Sequence, residues 1–339
     1  MKRKIKFDEI NRMKIRTMKL VLVAGILLMS LKFLAYFITG SNAVLTDAIE
    51  SIVNVIAGSF ALYGVFYAAK PKDEDHPYGH GKIEFLSAGF EGGMICIAGL
   101  AMFFKGITAF FTKDQVLNAE IGIFISAGAG AINYWLGKLL LIRGKKANSD
   151  LMIAEGHHLI SDTLSSIGLI IGLILIYITG LNWIDYVVTI IFGAIISYSG
   201  FRLIYSSITN LLDQSDQEKI NKIIELLNKN RRDQWVDLHN LRVLKYGAHL
   251  HIDSHITLPW YLSLEEAHAE VDQLQKMMEN EFDHEIEFFI HADPCIPKIS
   301  CEICQLSNCP KREKNMLKKI NWTVKNLLPN SKHEVSTEK

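Results

Sequence analysis

The sequence predicts an integral membrane protein in two parts: a bundle of six transmembrane helices, followed by a smaller α+β domain. The 339 residues are 49% hydrophobic, which is high for a soluble chain and low for one wholly immersed in lipid. Apolar runs long enough to cross a hydrocarbon core of about 30 Å end near residue 208. After that point polar residues alternate with apolar ones, as in a water-soluble domain.

Six apolar runs have the length of about 20 residues that a membrane-spanning helix needs. The first follows the basic stretch MKRKIKF and lacks a small-residue cleavage site, so we expect a retained span and not a signal peptide. The predicted transmembrane domain occupies residues 1–208. Its spans are 18–38, 42–69, 84–111, 119–141, 150–179 and 183–208.

Lysine and arginine are concentrated on one set of predicted loops. They precede span one and separate spans two and three and spans four and five, whereas the alternate loops contain only Lys113. Because positive residues favour the cytoplasmic side, we expect both termini in the cytoplasm. Short loops and the lack of targeting signals suit a bacterial inner membrane. The formal net charge of zero argues against a nucleic-acid partner.

Residues 209–297 are predicted to form a cytoplasmic metal-binding domain with the element order αββαβ. DQEKINKIIELLNKN and SLEEAHAEVDQLQKMMENEF have helical spacing, and LHNLRVLKYG, HLHIDSHITL and EIEFFIHAD alternate like strands. Two helices on one face of a three-stranded sheet give a ferredoxin-like α+β layer. Residues 298–339 form a tail with clustered cysteines and a lysine-rich stretch that we expect to be helical.

Ionisable residues interrupt the second and fifth spans. His158 and Asp162 share one face of a helix, as do Asp47 and Ser51. At 1.5 Å per residue, Asp47 lies about 9 Å below the outer face and Asp162 about 20 Å above the inner face, so their depths coincide. A carboxylate at that depth costs several kcal/mol unless a partner compensates it. We therefore predict one divalent cation between the two helices.

The alternative for the fifth span is purely structural. Asp162 would hydrogen-bond neighbouring hydroxyl groups, and His158 would pack as a neutral ring. Hydroxyl groups cannot offset several charges, and Asp47, Glu50 and Asp162 supply three carboxylates. A metal or proton path is therefore the better interpretation.

Histidines outside the spans suggest further metal sites. In the loop KPKDEDHPYGHGKIEF, His76 and His80 with Asp73 or Asp75 form a nitrogen and oxygen ligand set, although an ordinary solvated turn is the alternative. The α+β domain holds seven of the twelve histidines. His291 and Asp293 are two further ligand-type residues, at the end of the last predicted strand. Strand alternation places four residues of HLHIDSH on one face: His249, His251, Asp253 and His255.

Together these residues resemble the cation diffusion facilitator family of divalent metal exporters. The resemblance covers about residues 10–297, through LTDAIES, DEDHPYGHGKIEFL, HHLISD, NLLD and IHADP in that order. It implies a homodimer that exchanges a cytoplasmic divalent cation for protons. Zinc is the first expectation, since His158 donates nitrogen, with iron, manganese, cobalt and cadmium left open. The implied ligands are Asp47, Ser51, His158 and Asp162 in the membrane, Asp73, His76 and His80 in the loop, and His239, His255, His268, His291 and Asp293 near the dimer interface.

One position departs from the family pattern. Many members carry a second aspartate or a histidine–aspartate pair where this chain has Ser51. Either Ser51 supplies a weak hydroxyl ligand, or Glu50 rotates into the site, or water completes the ligands. Replacing a carboxylate by a hydroxyl removes a charge, which we expect to alter the metal preference or the proton stoichiometry.

The tail adds a feature outside that pattern. Four of the five cysteines lie within DPCIPKISCEICQLSNCPKR. A cytosolic location disfavours disulfides, and four thiolates can enclose one structural Zn²⁺, although reduced cysteines in a loose tail are the alternative. The predicted ligands are Cys295, Cys301, Cys304 and Cys309.

Two other function classes compete with export. A membrane metal sensor would bind without transport, but it would not need paired carboxylates inside the membrane. A membrane di-iron oxygenase is suggested by the HxxxH pair of HPYGH, but the four histidines of the membrane half are too few for such a centre. The sequence therefore predicts a transporter and no enzyme.

Overall fold

The protein folds into two compact units, Met1–Leu212 and Asp213–Lys339. The structure is a computed structural model that describes residues 2–39, 42–112, 119–179, 183–247, 249–282 and 286–335. Each unit is described below by itself.

The described residues of the first unit form six long helices. Each contains between 27 and 38 residues, enough to span a hydrocarbon core of about 30 Å at 1.5 Å per residue. Among the described residues, four helical stretches are also apolar enough to cross a membrane: Asp8–Ile38, Ser51–Ala68, Ile83–Ala109 and Tyr186–Leu211. The helices are α1 (Lys2–Thr39), α2 (Asn42–Ala68), α3 (Ile83–Thr112), α4 (Ala119–Ala147), α5 (Asp150–Thr179) and α6 (Trp183–Leu211).

Large apolar side chains cover the outside of these helices. Phe37, Phe111 and Tyr198 are each at least 70% exposed, which would be costly in water for so many neighbouring residues. Lipid chains are the solvent that such a surface suits. The buried charged groups described below lie inside the bundle, as polar groups in membrane proteins do.

Helices α3 and α6 approach each other closely through Gly92, Gly99 and Gly106 of α3, which are spaced seven residues apart. A Cβ atom added to Gly106 of α3 would lie 2.8 Å from Ile190, and one added to Gly92 would lie 2.9 Å from the backbone nitrogen of Ile204. Small residues allow this backbone approach between membrane helices. The glycine face of α3 therefore points at α6, and the adjacent Glu91 is left to face α5.

A buried ion pair joins three helices near the start of α3. The Lys14 ammonium on α1 donates to Glu84 Oε1 on α3 at 2.7 Å, and the Ser149 hydroxyl before α5 donates to the other oxygen of Glu84. Lys14 and Glu84 are 3% and 1% exposed. Each charge therefore depends on the other for its stability.

The second unit contains the predicted αββαβ order. Strand β1 (Asp237–Tyr246) is antiparallel to β2 (His249–Leu258), which is parallel to β3 (Ile286–Pro294), so β2 is the central strand. Helix α7 (Gln217–Lys229) begins at the cap Asp216, and α8 (Leu264–Glu281) begins at Ser263 with a capping box.

The helices cover one face of the sheet, and the histidines lie on the other. Ile220 and Leu227 of α7 and Leu274 of α8 pack against Ile252 of β2 in one apolar core. Because strand side chains alternate, His255 of β2 points away from that core. The face that the helices leave open is therefore the face that carries ligand-type side chains.

A bulge in β1 sets the position of its histidine. The β1–β2 register shifts between His239 and Arg242, and Asn240 adopts a φ of 53°, a left-handed conformation that asparagine tolerates. The Asn240 amide donates to the carbonyl of Pro329 in the tail. The tail is thus bound at the bulge beside His239.

The tail packs on the αββαβ part of the second unit, and its described residues include two short helices, α9 (Pro297–Ser300) and α10 (Val324–Leu327). The expectation that its lysine-rich stretch is helical is wrong for residues 311–320, which are irregular. Trp322, 2% exposed, lies in the core of the domain, with the Arg231 guanidinium 4.0 Å above its ring. The amides of Leu317 and Lys318 donate to Glu302, so the backbone pairs with the tail itself and not within a helix.

Candidate metal centres

Three side chains from α2 and α5 converge inside the first unit. His158 Nε2 and Asp162 Oδ2, one turn apart on α5, lie 3.7 Å from each other. Asn54 of α2 bridges them: its amide nitrogen donates to Asp162 Oδ2 at 2.7 Å, and its oxygen lies 3.2 Å from His158 Nε2. An imidazole, a carboxylate and an amide oxygen are all donors that divalent metal ions accept.

Two buried glutamates stand on the other side of the His158 ring. Glu91 Oε1 on α3 lies 3.5 Å from His158 Nδ1, and Glu91 and Glu155 are 1% and 3% exposed. Among the described residues, both oxygens of Glu91, one of Glu155 and Nδ1 of His158 have no hydrogen-bond partner. Buried polar atoms without a partner are costly, so this side of the ring suits a bound cation or proton.

The rest of the predicted intramembrane set is described only in part. Asp47 belongs to the backbone of α2, but its side chain and that of Glu50 lie outside the described residues. Ser51 is buried on α2, one turn before Asn54. The Asn54 contacts place α2 against α5 at the level of Asp162. That Asp47 is a ligand of this site stays a prediction.

Sequence reasoning missed Asn54, Glu91 and Glu155. Asn54 is three residues after Ser51 and seven after Asp47, which places all three on one helix face. Glu91 and Glu155 are carboxylates within apolar spans, a signal of function in its own right. Their positions in the sequence could have drawn attention to them, but only the packing of α3 shows that Glu91 reaches His158.

The loop between α2 and α3 gathers its three predicted ligands. His76 Nδ1 lies 2.9 Å from Asp73 Oδ1, and His80 Nε2 lies 3.2 Å from Asp73 Oδ2. The ligand atoms of all three lie within 4.8 Å of one another. Hydrogen bonding from His76 lowers the pKa of Asp73, which keeps the carboxylate ionised. This geometry can hold one divalent cation at the surface, with His80 buried beneath it.

In the second unit, Asp293 at the end of β3 is the centre of a histidine cluster. Its Oδ2 lies 3.5 Å from His239 Nε2 and 3.4 Å from His255 Nδ1, and these three ligand atoms lie within 4.8 Å of one another. His291 Nε2 lies 3.4 Å from Asp293 Oδ1. The β2–β3 register pairs His255 with His291, which explains how two strands present both rings together.

Burial and a neighbouring carboxylate affect the pKa of His239 in opposite directions. Burial lowers the pKa of His239, and the carboxylate of Asp237 raises it in part. The neutral ring, which is the form that binds metal, is therefore favoured. The tail also reaches this point, because the His333 amide donates to Asp237 Oδ2 at 2.9 Å.

A lysine of the tail lies beside the same cluster. Lys332 Nζ is 3.8 Å from Asp293 Oδ2 and donates to the carbonyl of Pro294 at 3.2 Å. An ammonium group at this distance partly neutralises the carboxylate that a metal ion would bind.

His268 is not brought into the cluster. Its Nε2 lies 3.7 Å from Asp272 on the same face of α8, and its side chain is 74% exposed. His249, His251 and Asp253 share the sheet face of His255, but His251 faces Glu287 at 3.4 Å and stacks edge-on with Tyr246. One face of β2 therefore divides into a ligand-rich end and an end with ordinary polar contacts.

The four tail cysteines come together around one pocket, which also contains Trp260 and Arg312. All four are free thiols, and Cys301 and Cys304 are buried. The structure thus collects the predicted cysteine ligands, while the identity of any bound group stays a prediction. The remaining cysteine, Cys96, lies on α3.

Comparison with known proteins assigns both units. Residues 18–212 match the family description "Cation efflux transmembrane domain", and residues 215–295 match "Cation efflux protein, cytoplasmic domain". The chain is 30% identical over 267 residues to the cation-efflux pump FieF of Shewanella oneidensis, covering 79% of this chain and 89% of that protein.

Two further relatives extend the comparison. The chain is 31% identical over 245 residues to the uncharacterized transporter sll1263 of Synechocystis, covering 72% of this chain and 79% of that protein. It is 26% identical over 302 residues to the metal tolerance protein C1 of Arabidopsis thaliana, covering 84% and 63% respectively. The fold class predicted from the sequence, a transmembrane helix bundle with a C-terminal cytoplasmic α+β domain, is confirmed. The chain belongs to the cation diffusion facilitator family.

Proposed function

We propose that the protein is a secondary exporter that exchanges a cytoplasmic divalent transition-metal ion for protons. Divalent metal cation efflux follows from the family, and the metal and the proton coupling are the proposed part. The observation that carries the proposal is the convergence of Asn54, His158 and Asp162 within the helix bundle.

The coupling follows from the protonation of the ligands. Imidazole and carboxylate bind a metal ion only when deprotonated, so metal uptake displaces protons and protonation releases the metal. His158 and Asp162 therefore bind metal while the site faces the cytoplasm and bind protons while it faces the opposite side. Glu91 would hold the His158 ring with Nε2 turned toward Asp162 and Asn54, as carboxylates orient metal-binding histidines elsewhere.

The donor set favours zinc or iron over manganese. His158 supplies an imidazole, and Asn54 adds an amide oxygen that the sequence did not predict. Asp47 is proposed as a second carboxylate from α2. With Ser51 in place of an acidic residue, Asn54 is proposed as a further donor from α2, because its side chain contacts both α5 ligands.

The loop and domain clusters are proposed to bind the same class of ion. The domain cluster, with His268 exposed on α8, would lie near the interface of a homodimer, so that metal binding stabilises the assembly. Both termini are proposed to be cytoplasmic and the membrane a bacterial inner membrane. Structural zinc at the four tail cysteines stays a prediction of the sequence.

Metal flux into proteoliposomes tests the exporter directly. With an imposed pH gradient, we expect the full chain to move Zn²⁺ across the membrane, followed with an enclosed fluorescent indicator. Asp162→Asn removes a ligand and its titrating charge, so flux should fall to that of protein-free liposomes.

Asp150→Asn is the matched control, because it makes the same change at the start of the same helix, three turns from the site. Its flux should equal that of the unaltered chain. Flux that persists in folded Asp162→Asn would refute the assignment of the site. Zinc binding without any flux in the unaltered chain would instead favour a metal sensor.

An enzyme function is excluded by family membership. The HxxxH pair that suggested a di-iron oxygenase is formed by His76 and His80, and together with Asp73 it makes a single ligand cluster. A surface loop with three ligands fits transient metal binding.

Removing Lys332 should strengthen zinc binding at the domain cluster. Its ammonium lies 3.8 Å from Asp293 and competes with a divalent cation for the same carboxylate. A partly exposed pair with this separation is worth about 1 kcal/mol, so Lys332→Ala should raise the affinity about fivefold. Isothermal titration of the detergent-solubilised chain carrying Asp162→Asn, His76→Ala and Cys304→Ser isolates the domain cluster, because these changes disable the intramembrane, loop and cysteine sites. Lys325→Ala, on the exposed side of α10, should leave the affinity unchanged, and a fall with Lys332→Ala would contradict the prediction.

A further inference from the structure

The buried aspartate that opens β1 lies between a histidine of the domain cluster and a histidine of the tail. Asp237 is 2% exposed, and its carboxylate contacts His239 on one side and His333 on the other. A carboxylate almost removed from water is costly unless hydrogen bonds compensate its charge. The ligand set of the domain cluster does not include Asp237, so its burial beside that cluster indicates another role.

The start of β1 holds Asp237 in a fixed position. The Arg231 guanidinium donates to the carbonyls of Trp235 and Val236, at 3.3 and 2.7 Å, directly before the strand. The Leu238 amide donates to Asp237 Oδ1 at 2.8 Å. Contacts within the domain therefore order both the backbone of this segment and the carboxylate that it carries.

The tail binds the same carboxylate through two nitrogen atoms. The His333 amide donates to Asp237 Oδ2 at 2.9 Å, and the His333 ring nitrogen Nδ1 lies 2.5 Å from Oδ1. The tail is also bound just before His333, because the carbonyl of Pro329 accepts from the Asn240 amide at 2.9 Å. This part of the tail lies outside residues 215–295, which match the family's cytoplasmic domain.

The two nitrogens of the His239 ring face two different carboxylates. Nε2 lies 3.5 Å from Asp293 Oδ2 in the domain cluster, and Nδ1 lies 3.8 Å from Asp237 Oδ2. A histidine that binds metal through Nε2 carries its proton on Nδ1, and a carboxylate facing Nδ1 orients the ring and raises its basicity as a ligand. Among the described residues Nδ1 has no hydrogen-bond partner, and at 3.8 Å Asp237 acts on it through charge.

We propose that Asp237 is a positioning residue for metal binding at the domain cluster, and that His333 of the tail holds the Asp237 carboxylate toward His239. The inference rests on the proposed binding of metal at that cluster. It gives two neighbouring tail residues opposite effects, since the Lys332 ammonium competes with the ion at Asp293, whereas His333 supports a ring that binds the ion. The tail thus contributes to the metal affinity of the domain.

Isothermal titration with Zn²⁺ tests the inference in the full detergent-solubilised chain that carries Asp162→Asn, His76→Ala and Cys304→Ser. In this background, Asp237→Asn keeps the shape of the side chain and removes its charge, so the zinc affinity should fall about 10- to 100-fold. His333→Ala removes the ring's contact with Asp237 and should lower the affinity about 3- to 10-fold, the factor expected for the loss of one hydrogen bond.

His333→Asn separates positioning from direct metal binding by His333. The asparagine amide nitrogen can donate to Asp237 in place of Nδ1, but asparagine has no counterpart of the buried Nε2 of His333. The zinc affinity should therefore return to that of the background chain. Ser331→Ala is the matched control, because it removes an exposed tail side chain two residues earlier, and it should leave the affinity unchanged.

Two results would overturn the inference while the background chain still binds zinc at the domain cluster. One is a His333→Ala chain that binds zinc as tightly as the background chain. The other is a His333→Asn chain that binds zinc as weakly as His333→Ala. A background chain that binds no zinc would overturn the proposed domain site and this inference together. If Asp237→Asn does not fold, the two His333 variants decide.

Discussion

Glu91→Gln is expected to weaken Zn²⁺ binding at the intramembrane site by about 10- to 100-fold. The carboxylate of Glu91 lies 3.5 Å from His158 Nδ1, on the side of the ring opposite Asn54 and Asp162. When metal binds Nε2, this charge would favour the ring form that carries its proton on Nδ1. A glutamine keeps the shape of the side chain but loses this charge.

The measurement needs a chain in which the other zinc sites are disabled. In a background of His76→Ala, His255→Ala and Cys304→Ser, which disables the loop, domain and cysteine clusters, isothermal titration in detergent reports the intramembrane site. Glu155→Gln is the comparison variant, since Glu155 is a buried glutamate that interacts with Glu91 and, among the described residues, forms no ion pair with His158. We expect its effect to be well below that of Glu91→Gln. Equal effects of the two changes would mean that Glu91 contributes general negative charge and does not orient His158.

Glu84→Gln is expected to cost the transmembrane unit about 3–5 kcal/mol of free energy of unfolding. Lys14 is 3% exposed, and its ammonium lies 2.7 Å from Glu84 Oε1. Without the carboxylate, a buried positive charge is left without compensation. Ser149 can still donate to the glutamine oxygen, so the loss reports the Lys14 contact and not the Ser149 hydrogen bond.

A second variant makes the measurement decisive. Adding Lys14→Met to Glu84→Gln removes both charges, and stability should return to within about 1 kcal/mol of the unaltered chain. Equilibrium unfolding of the detergent-solubilised chain measures both changes. If the double variant is no more stable than Glu84→Gln alone, the packing of Lys14 matters more than its charge.

Much of the fold could be predicted from the sequence because periodicity encodes local structure. The alternation in HLHIDSHITL predicted β2, and the helical spacing around Ile220 and Leu227 predicted α7, since apolar side chains must face one core. For the lysine-rich part of the tail, the helix expected from the sequence is wrong. Its conformation is set by Trp322, which lies in the core of the domain and contacts Asn228 and Arg231. Asn228 is more than 90 residues away from Trp322 in the sequence, so no local pattern contains this contact.

The candidate sites divide in the same way. Asp73, His76 and His80 are close in sequence, so a single turn brings them together, as the motif predicted. Asn54 and Glu91 reach His158 from two other helices, and their contribution depends on how α2 and α3 rotate against α5. Such rotations are decided by side-chain packing, including the glycines that place α3 on α6.

By itself the sequence determined the two-part architecture, the order of the elements and the chemical types of the ligands, because length, apolarity and residue spacing act locally along the chain. The tertiary structure decided which side chains share a site. It brought Asn54 and Glu91 to His158 and Lys332 to Asp293. Each of these contacts joins segments distant in sequence, and packing alone fixes which atoms of distant segments meet.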